Sequence, residues 1–148
     1  MKRPVIIAVA VIAFLAIAFF VTRWLNNDTV ERGDVVTLLK AQARGDLPGM
    51  LSVLKCPDAA CVAVARADSQ KLHGTGEVKI AFYTSGTAHA VTDKTKPTRV
   101  VWYTPDRLAK GLTTVQCVLV RRSGNVLAGA SITLLRLSAP IGHEASCP

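Results

Sequence analysis

Thr113 to Ser138, TTVQCVLVRRSGNVLAGASITLLRLS, is the stretch whose reading decides the fold. Apolar residues recur at every second position on both sides of Ser123-Gly124-Asn125, the pattern of two β-strands joined by a tight turn. The strands are expected at Thr113 to Arg122 and Ala128 to Ser138. With Gly124-Asn125 as a two-residue turn, Cys117 falls opposite Ile132, Val115 opposite Leu134 and Leu119 opposite Ala130. That register makes one continuous apolar face for burial. It leaves Gln116, Ser131 and Thr133, with Val118 and Val120, on the other face.

Working outward, Thr98 to Thr104 reads as a strand rich in aromatic and β-branched residues, closed by Pro105-Asp106. Asp93 to Pro97 reads as a polar loop before it. Further upstream, Val78, Ile80 and Phe82 alternate with Glu77, Lys79 and Tyr83, and Ser85-Gly86 offers a turn into Thr87 to Val91, which together predict a hairpin.

Before these strands the period changes to that of helices. Val35, Val36, Leu38, Leu39 and Ala43 share one broad helical face, with Gly45 as stop and Lys40 and Arg44 near the C-terminus, where cations suit the helix dipole. Asn26-Asn27-Asp28 reads as a break, and Asp28 with Glu31 three residues on reads as a capping box that starts this helix. Asp46 can cap a second short helix that aligns Leu47, Leu51 and Leu54, and Asp58 a third that runs to Leu72 and closes at Gly74. One apolar sheet face and three amphipathic helices must bury each other. The expected fold is therefore α+β: about three helices on one face of a curved, mostly antiparallel sheet of four to five strands.

The chain has 148 residues, and its first part stands apart from this domain. From Pro4 to Thr22 all but the terminal Pro and Thr are apolar, and a helix over that run reaches about 28 Å, close to the thickness of a bilayer core. Lys2 and Arg3 precede it, while Asp28, Glu31 and Asp34 follow beyond Arg23, so the positive-inside rule predicts a cytoplasmic N-terminus and an external domain. Trp24 and Arg23 suit the headgroup layer at the outer edge. Ala16-Ile17-Ala18 also matches a signal-peptidase site, which would make the domain secreted, but the apolar run continues through Phe19, Phe20 and Val21 where a polar cleavage region belongs. The expected division is an anchor over residues 1–25, a short juxtamembrane linker and helix start over 26–34, and an extracytoplasmic domain over 35–148.

An external domain lies in oxidising surroundings, and four cysteines, Cys56, Cys61, Cys117 and Cys147, make an even set suited to disulfides. Three pairings are possible. The favoured one joins Cys56 to Cys61, local across Pro57, and Cys117 to Cys147, which fastens the tail from Ser138 to Pro148. Their spacing lacks the paired short knuckles of zinc domains and the two-residue gap of redox motifs, so no metal is expected.

Helices followed by long antiparallel strands, with Ala43-Arg44-Gly45-Asp46 linking the first two helices, resemble the SnoaL-like, nuclear-transport-factor-like cone superfamily over about Asp28 to Ser138. The resemblance implies a curved sheet wrapped round a helix and a pocket that some members use for catalysis and others for binding or assembly. It also implies kinship with single-anchor members of bacterial secretion machines.

Chemistry is sparse. No His-x-x-x-His, Gly-x-Ser-x-Gly or phosphate-cradling loop is present, so no catalytic residue and no cofactor is expected. His73 sits at a helix end, His143 lies in the tail beside Glu144, Asp106 with Arg107 reads as a turn pair, and Asp68 has Arg66 and Lys71 beside it as on a solvated face. The candidate ligand-binding residues are Tyr83, His89, Trp102 and Tyr103; neighbours 102 and 103 must point to opposite faces of their strand. Lys and Arg total 18 against 10 Asp and Glu, and with Lys2, Arg3 and Arg23 assigned to the membrane flanks the domain keeps 15 against 10. No basic block marks a nucleic-acid surface. The composition fits an envelope domain that binds a protein partner or a small apolar ligand. A small isomerase or hydrolase using His89 or a buried carboxylate is the alternative, and a structural subunit of an envelope assembly, or a homo-oligomer formed through the face of Val118 and Val120, is a third expectation.

Overall fold

The computed structural model describes residues 2–88, 90, 92–125 and 129–148. It has α1 at Lys2–Ala43, α2 at Leu47–Val53 and α3 at Ala59–Lys71, then β1 at Lys79–Thr84, β2 at Lys94–Tyr103, a one-turn α4 at Pro105–Leu108, β3 at Thr114–Asn125 and β4 at Gly129–Leu137. The strands form one antiparallel meander in the order β1-β2-β3-β4. This is the α+β arrangement expected, with four strands among the described residues.

α1 is one helix of 42 residues, about 63 Å long. The break expected at Asn26-Asn27-Asp28 does not occur, so residues 26–34 are helix and not a linker. Asn and Asp disfavour a helix interior by less than about 1 kcal/mol each, which a cooperative helix held by packing beyond them absorbs. The stretch Pro4–Ala43 contains an apolar window long enough to cross a membrane.

The end of α1 follows the sequence closely. Val35, Leu38, Leu39 and Gln42 are buried on one stripe. Gly45 has φ of 71°, its N–H donates to Gln42 O at 2.9 Å, and Asp46 N–H donates to Ala41 O at 2.9 Å, closing the helix in a left-handed cap that glycine adopts without strain. Asp46 and Asp58 cap α2 and α3 by accepting from Gly49 N and Cys61 N, each at 2.9 Å.

Two strand expectations are overturned. The described residues of the expected strand Thr87 to Val91, namely Thr87, Ala88 and Ala90, lie outside any strand, and β1 pairs instead with β2, Tyr83 opposite Val100. Lys94 to Pro97 is strand and not loop, paired on β3 from Lys94 opposite Arg122 to Pro97 opposite Leu119. β1 stops opposite Arg99, so on that side Pro97 lies at an open edge where its missing N–H breaks no ladder.

The β3–β4 register also differs from the expected one. Gly124 lies opposite Ala130 and Asn125 opposite Gly129, which moves the turn to 126–128, outside the described residues. A bulge then shifts the pairing so that Val120 faces Leu134 while Leu119 faces Arg136. The sheet is consequently turned over at β3: Gln116, Val118 and Val120 are buried against the helices, with Val118, Val120 and Leu134 in the core cluster alongside Trp102, Leu39 and Met50. Val118 and Val120 thus lie inside and form no outer face for self-association.

Val115 and Cys117 are buried too, but under the tail. Ile141 N–H donates to Val115 O and Ser138 N–H to Cys117 O, both at 2.8 Å, and the Cys117–Cys147 disulfide closes over them. Cys56–Cys61 is the other disulfide, so both pairs are those expected. Arg99 donates to the carbonyls of His143 and Ala145, which holds the strap down from the β2 side.

Leu134 is 1% exposed and packs from β4 into the helix-side core, next to the point where Lys55 N–H donates to its carbonyl at 2.7 Å. Leu134→Ala should lower the unfolding free energy by about 2 to 5 kcal/mol in urea titration of the full chain. A loss under about 0.5 kcal/mol would contradict this packing.

Candidate functional site

Glu31 is on the buried stripe of α1, one turn before Val35, and is 0% exposed. A carboxylate removed from water needs its lone pairs filled by donors. Four hydroxyls fill them: Tyr83 Oη at 2.9 Å and Thr98 Oγ1 at 2.6 Å donate to Oε1, and Ser85 Oγ at 3.0 Å and Thr87 Oγ1 at 2.5 Å donate to Oε2. Thr98 belongs to β2, Tyr83 to β1, and Ser85 and Thr87 to the segment after it.

Gly86 makes this bend possible, since a methyl group at its Cα would run into Pro97 O, and its N–H reaches Thr98 Oγ1 at 3.3 Å. The demand for hydroxyls around Glu31 is what takes the backbone from Ser85 to Thr87 out of strand geometry: Thr87 turns in to the carboxylate, and its own carbonyl accepts from Arg122 Nη1 at 3.2 Å. Arg122, 2% exposed, also reaches Asp28 Oδ1 at 3.4 Å, one turn back along α1. Arg32 lies 5.8 Å from the centre of the Tyr83 ring, a cation–π arrangement on the outer side. Burial, and then the adjacent Glu31 carboxylate, raise the Tyr83 phenol well above its ordinary range, so it remains a donor.

A second buried network crosses the core. Gln116 Oε1 accepts from Trp102 Nε1 at 2.8 Å and Gln42 Nε2 at 3.1 Å, and Gln116 Nε2 donates to Asp68 Oδ2 at 2.9 Å and Ser138 O at 3.0 Å. One glutamine thereby joins α1, α3, β2 and the start of the tail. Asp68, expected on a solvated face, is 3% exposed; burial pushes its carboxyl up to about 6, against the smaller opposing effects of Lys71 and the Gln116 amide.

Of the four candidate ligand residues, the three described ones, Tyr83, Trp102 and Tyr103, do not converge on one surface. Tyr83 is spent on Glu31 and Trp102 is 0% exposed in the core. Tyr103 faces the outer side of the sheet, opposite Lys79, and His89 lies outside the described residues. The outer side of β1 and β2 instead carries an apolar strip: Phe82, 58% exposed, sits opposite Val101, with Tyr103 two residues on. Among the described residues no three His, Cys, Asp or Glu side chains converge as metal ligands. His73 packs near Gly45 at the end of α1, where a methyl group on that glycine would meet its ring.

The residues that organise the molecule, Glu31 and Gln116, are legible only in part. Glu31 continues the stripe of Val35, Leu38, Leu39 and Gln42 by one turn, a sign that it is buried, and Tyr83-Thr84-Ser85-Gly86-Thr87 is rich in hydroxyls. Nothing local marks Gln116 as core.

No protein family matches the chain, and neither a characterised protein nor a solved structure is significantly similar to it.

Asp68 gives a pH dependence whose sign follows from its raised pKa. Between about 4 and 6 the folded chain binds the proton that the unfolded chain has released, so stability falls as pH rises through that window and the deficit is full above about 6. Asp68→Asn keeps an oxygen for Gln116 without the charge. It should raise the melting temperature over the native chain at pH 8, by roughly 1 to 3 kcal/mol of stability, and the gain should shrink towards zero at about pH 4 to 5 in calorimetry. A gain equal at both pH values would contradict the buried carboxyl.

Proposed function

We propose that the chain is a non-enzymatic, membrane-anchored extracytoplasmic domain that presents a protein-binding surface at a fixed height above the bilayer. Its N-terminus lies in the cytoplasm and the disulfide-braced sheet outside. The carrying observation is the Glu31 cage, which joins the helix with the membrane-spanning window to two strands of the domain in a single continuous element. Lys2 and Arg3 before the apolar run support the orientation, and two disulfides suit an oxidising compartment.

A protein partner is favoured over a small ligand by where space is found. Between sheet and helices, where a cone-shaped fold would enclose a ligand, Trp102, Gln116, Leu39 and Met50 fill the volume at 0% exposure. The apolar strip of exposed Phe82 with half-buried Val101 and Tyr103 lies on the opposite, outer face, and the polar networks inside consume their own donors and acceptors except for Gln42 Oε1, which has no partner among the described residues. Kinship with the SnoaL-like superfamily belongs to the same proposal, supported by the order of helices before a meander sheet.

The test is photo-crosslinking in the native membrane from a benzophenone amino acid in place of Phe82, with Lys71 on α3 as the control position. A discrete heavier adduct from position 82 and none from position 71 is the expected outcome. Equal labelling from both, or none from either, would contradict a partner on the outer face.

A further inference from the structure

The end of the sheet that holds Glu31 also reaches down to the point where α1 leaves its apolar run. Gly129 at the start of β4 sits against Arg23, so closely that a methyl group there would run into the guanidinium. A cleft of about 670 Å³ between the helix and this hairpin is lined by Phe19, Thr22, Arg23 and Asn26 on one side and Gly129 and Ala130 on the other. Phe19 belongs to the apolar run itself. The lower rim of the sheet is therefore level with the boundary between hydrocarbon and headgroups, given that Pro4 to Thr22 spans the bilayer.

That rim is basic. Lys94 lies opposite Arg122, Thr95 opposite Arg121 and Lys96 opposite Val120, and Lys94, Lys96 and Arg121 are exposed. The carboxylates at this end are already engaged: Glu31 by its four hydroxyls, Asp28 by Arg122, and Asp93 by Gly124 N–H at 2.7 Å. Counting Arg23, Arg32 and Arg122 with the three exposed cations, six positive groups among the described residues here face those three negative ones. Strands rise about 3.3 Å per residue, so Lys94 and Arg121 sit on the order of 10 Å above the hairpin end, within one Debye length of the phosphates at about 0.1 M salt and closer once their long side chains extend downward.

We propose that this rim, from Lys94, Lys96 and Arg121 down to the cleft between Arg23 and Gly129, is a docking surface for the phosphate headgroups of anionic phospholipids in the leaflet where α1 emerges. The site rests on the reading of α1 as a membrane anchor. Its occupant is lipid and not a soluble anion because the cleft opens onto Phe19 and the apolar run, which offers acyl chains a wall beside the cations.

The test uses the full chain in phosphatidylcholine vesicles with and without about one third phosphatidylglycerol. Flotation with vesicles reads the anchor, and electron spin resonance of spin-labelled lipids reads which headgroup gathers round the protein. The native chain should float in both mixtures and enrich labelled phosphatidylglycerol over phosphatidylcholine about threefold or more, with the preference falling as salt rises from about 0.05 to about 0.5 M. The combined Lys94→Gln, Lys96→Gln, Arg121→Gln variant should float equally, melt at the same temperature and lose most of the preference. Flotation without any anionic preference, or a preference that survives in the variant, overturns the docking surface and leaves the anchor standing. Failure of the native chain to float overturns the anchor and the docking surface with it.

Discussion

Burying one carboxylate governs how this protein is put together. An isolated charge in an apolar interior costs far more than the few kcal/mol by which a domain of this size is stable, so Glu31 is tolerable only while Tyr83, Ser85, Thr87 and Thr98 all donate to it. Those donors come from two strands and the segment after the first. Satisfying Glu31 therefore fixes where β1 ends, why Thr87 turns inward, and how far β2 extends past its partner.

The same constraint bears on the helix. A break at Asn26-Asn27 would free α1 to swing, but Asp28 and Glu31 are each tied to the sheet, through Arg122 and through the hydroxyls, on successive turns. Two adjacent turns fastened to one sheet hold the axis as well as the position of the helix. Under the proposed topology the domain then has no free linker, and its outer strip and its basic rim keep set heights above the lipid. The Gln116 network does at the other end of the core what Glu31 does here, tying Gln42 of α1 and Asp68 of α3 to Trp102.

Local signals are readable from the residues alone because they act locally. Gly45, Asp46 and Asp58 end and cap helices by bonds to backbone a few positions away, and the two disulfides follow from a short pair and a tail in need of fastening. The register of β3 is not readable, for a physical reason. β3 is apolar on both faces, Val118 and Val120 towards the helices and Val115 and Cys117 towards the tail strap, so alternation carries no sense of inside and outside. Asp68 misleads for a different reason: its partner Gln116 lies 48 positions away in the chain, and the charged neighbours Arg66 and Lys71 suggest solvent, while Glu31, read as a capping-box partner of Asp28, finds its hydroxyls 52 to 67 positions away. Of the aromatic candidates, only the opposition of Trp102 and Tyr103 is fixed by strand geometry, and they do point to opposite faces.

The rigid tie between helix and sheet is tested most directly by the distance between spin labels placed at Val11 on the exposed apolar part of α1 and at Thr75 in the exposed loop after α3, read by double electron–electron resonance on the full chain in lipid nanodiscs. One narrow distance distribution, broadened by Glu31→Ala, is the predicted result. A broad or two-peaked distribution in the native chain, or a narrow one that Glu31→Ala leaves untouched, would contradict it.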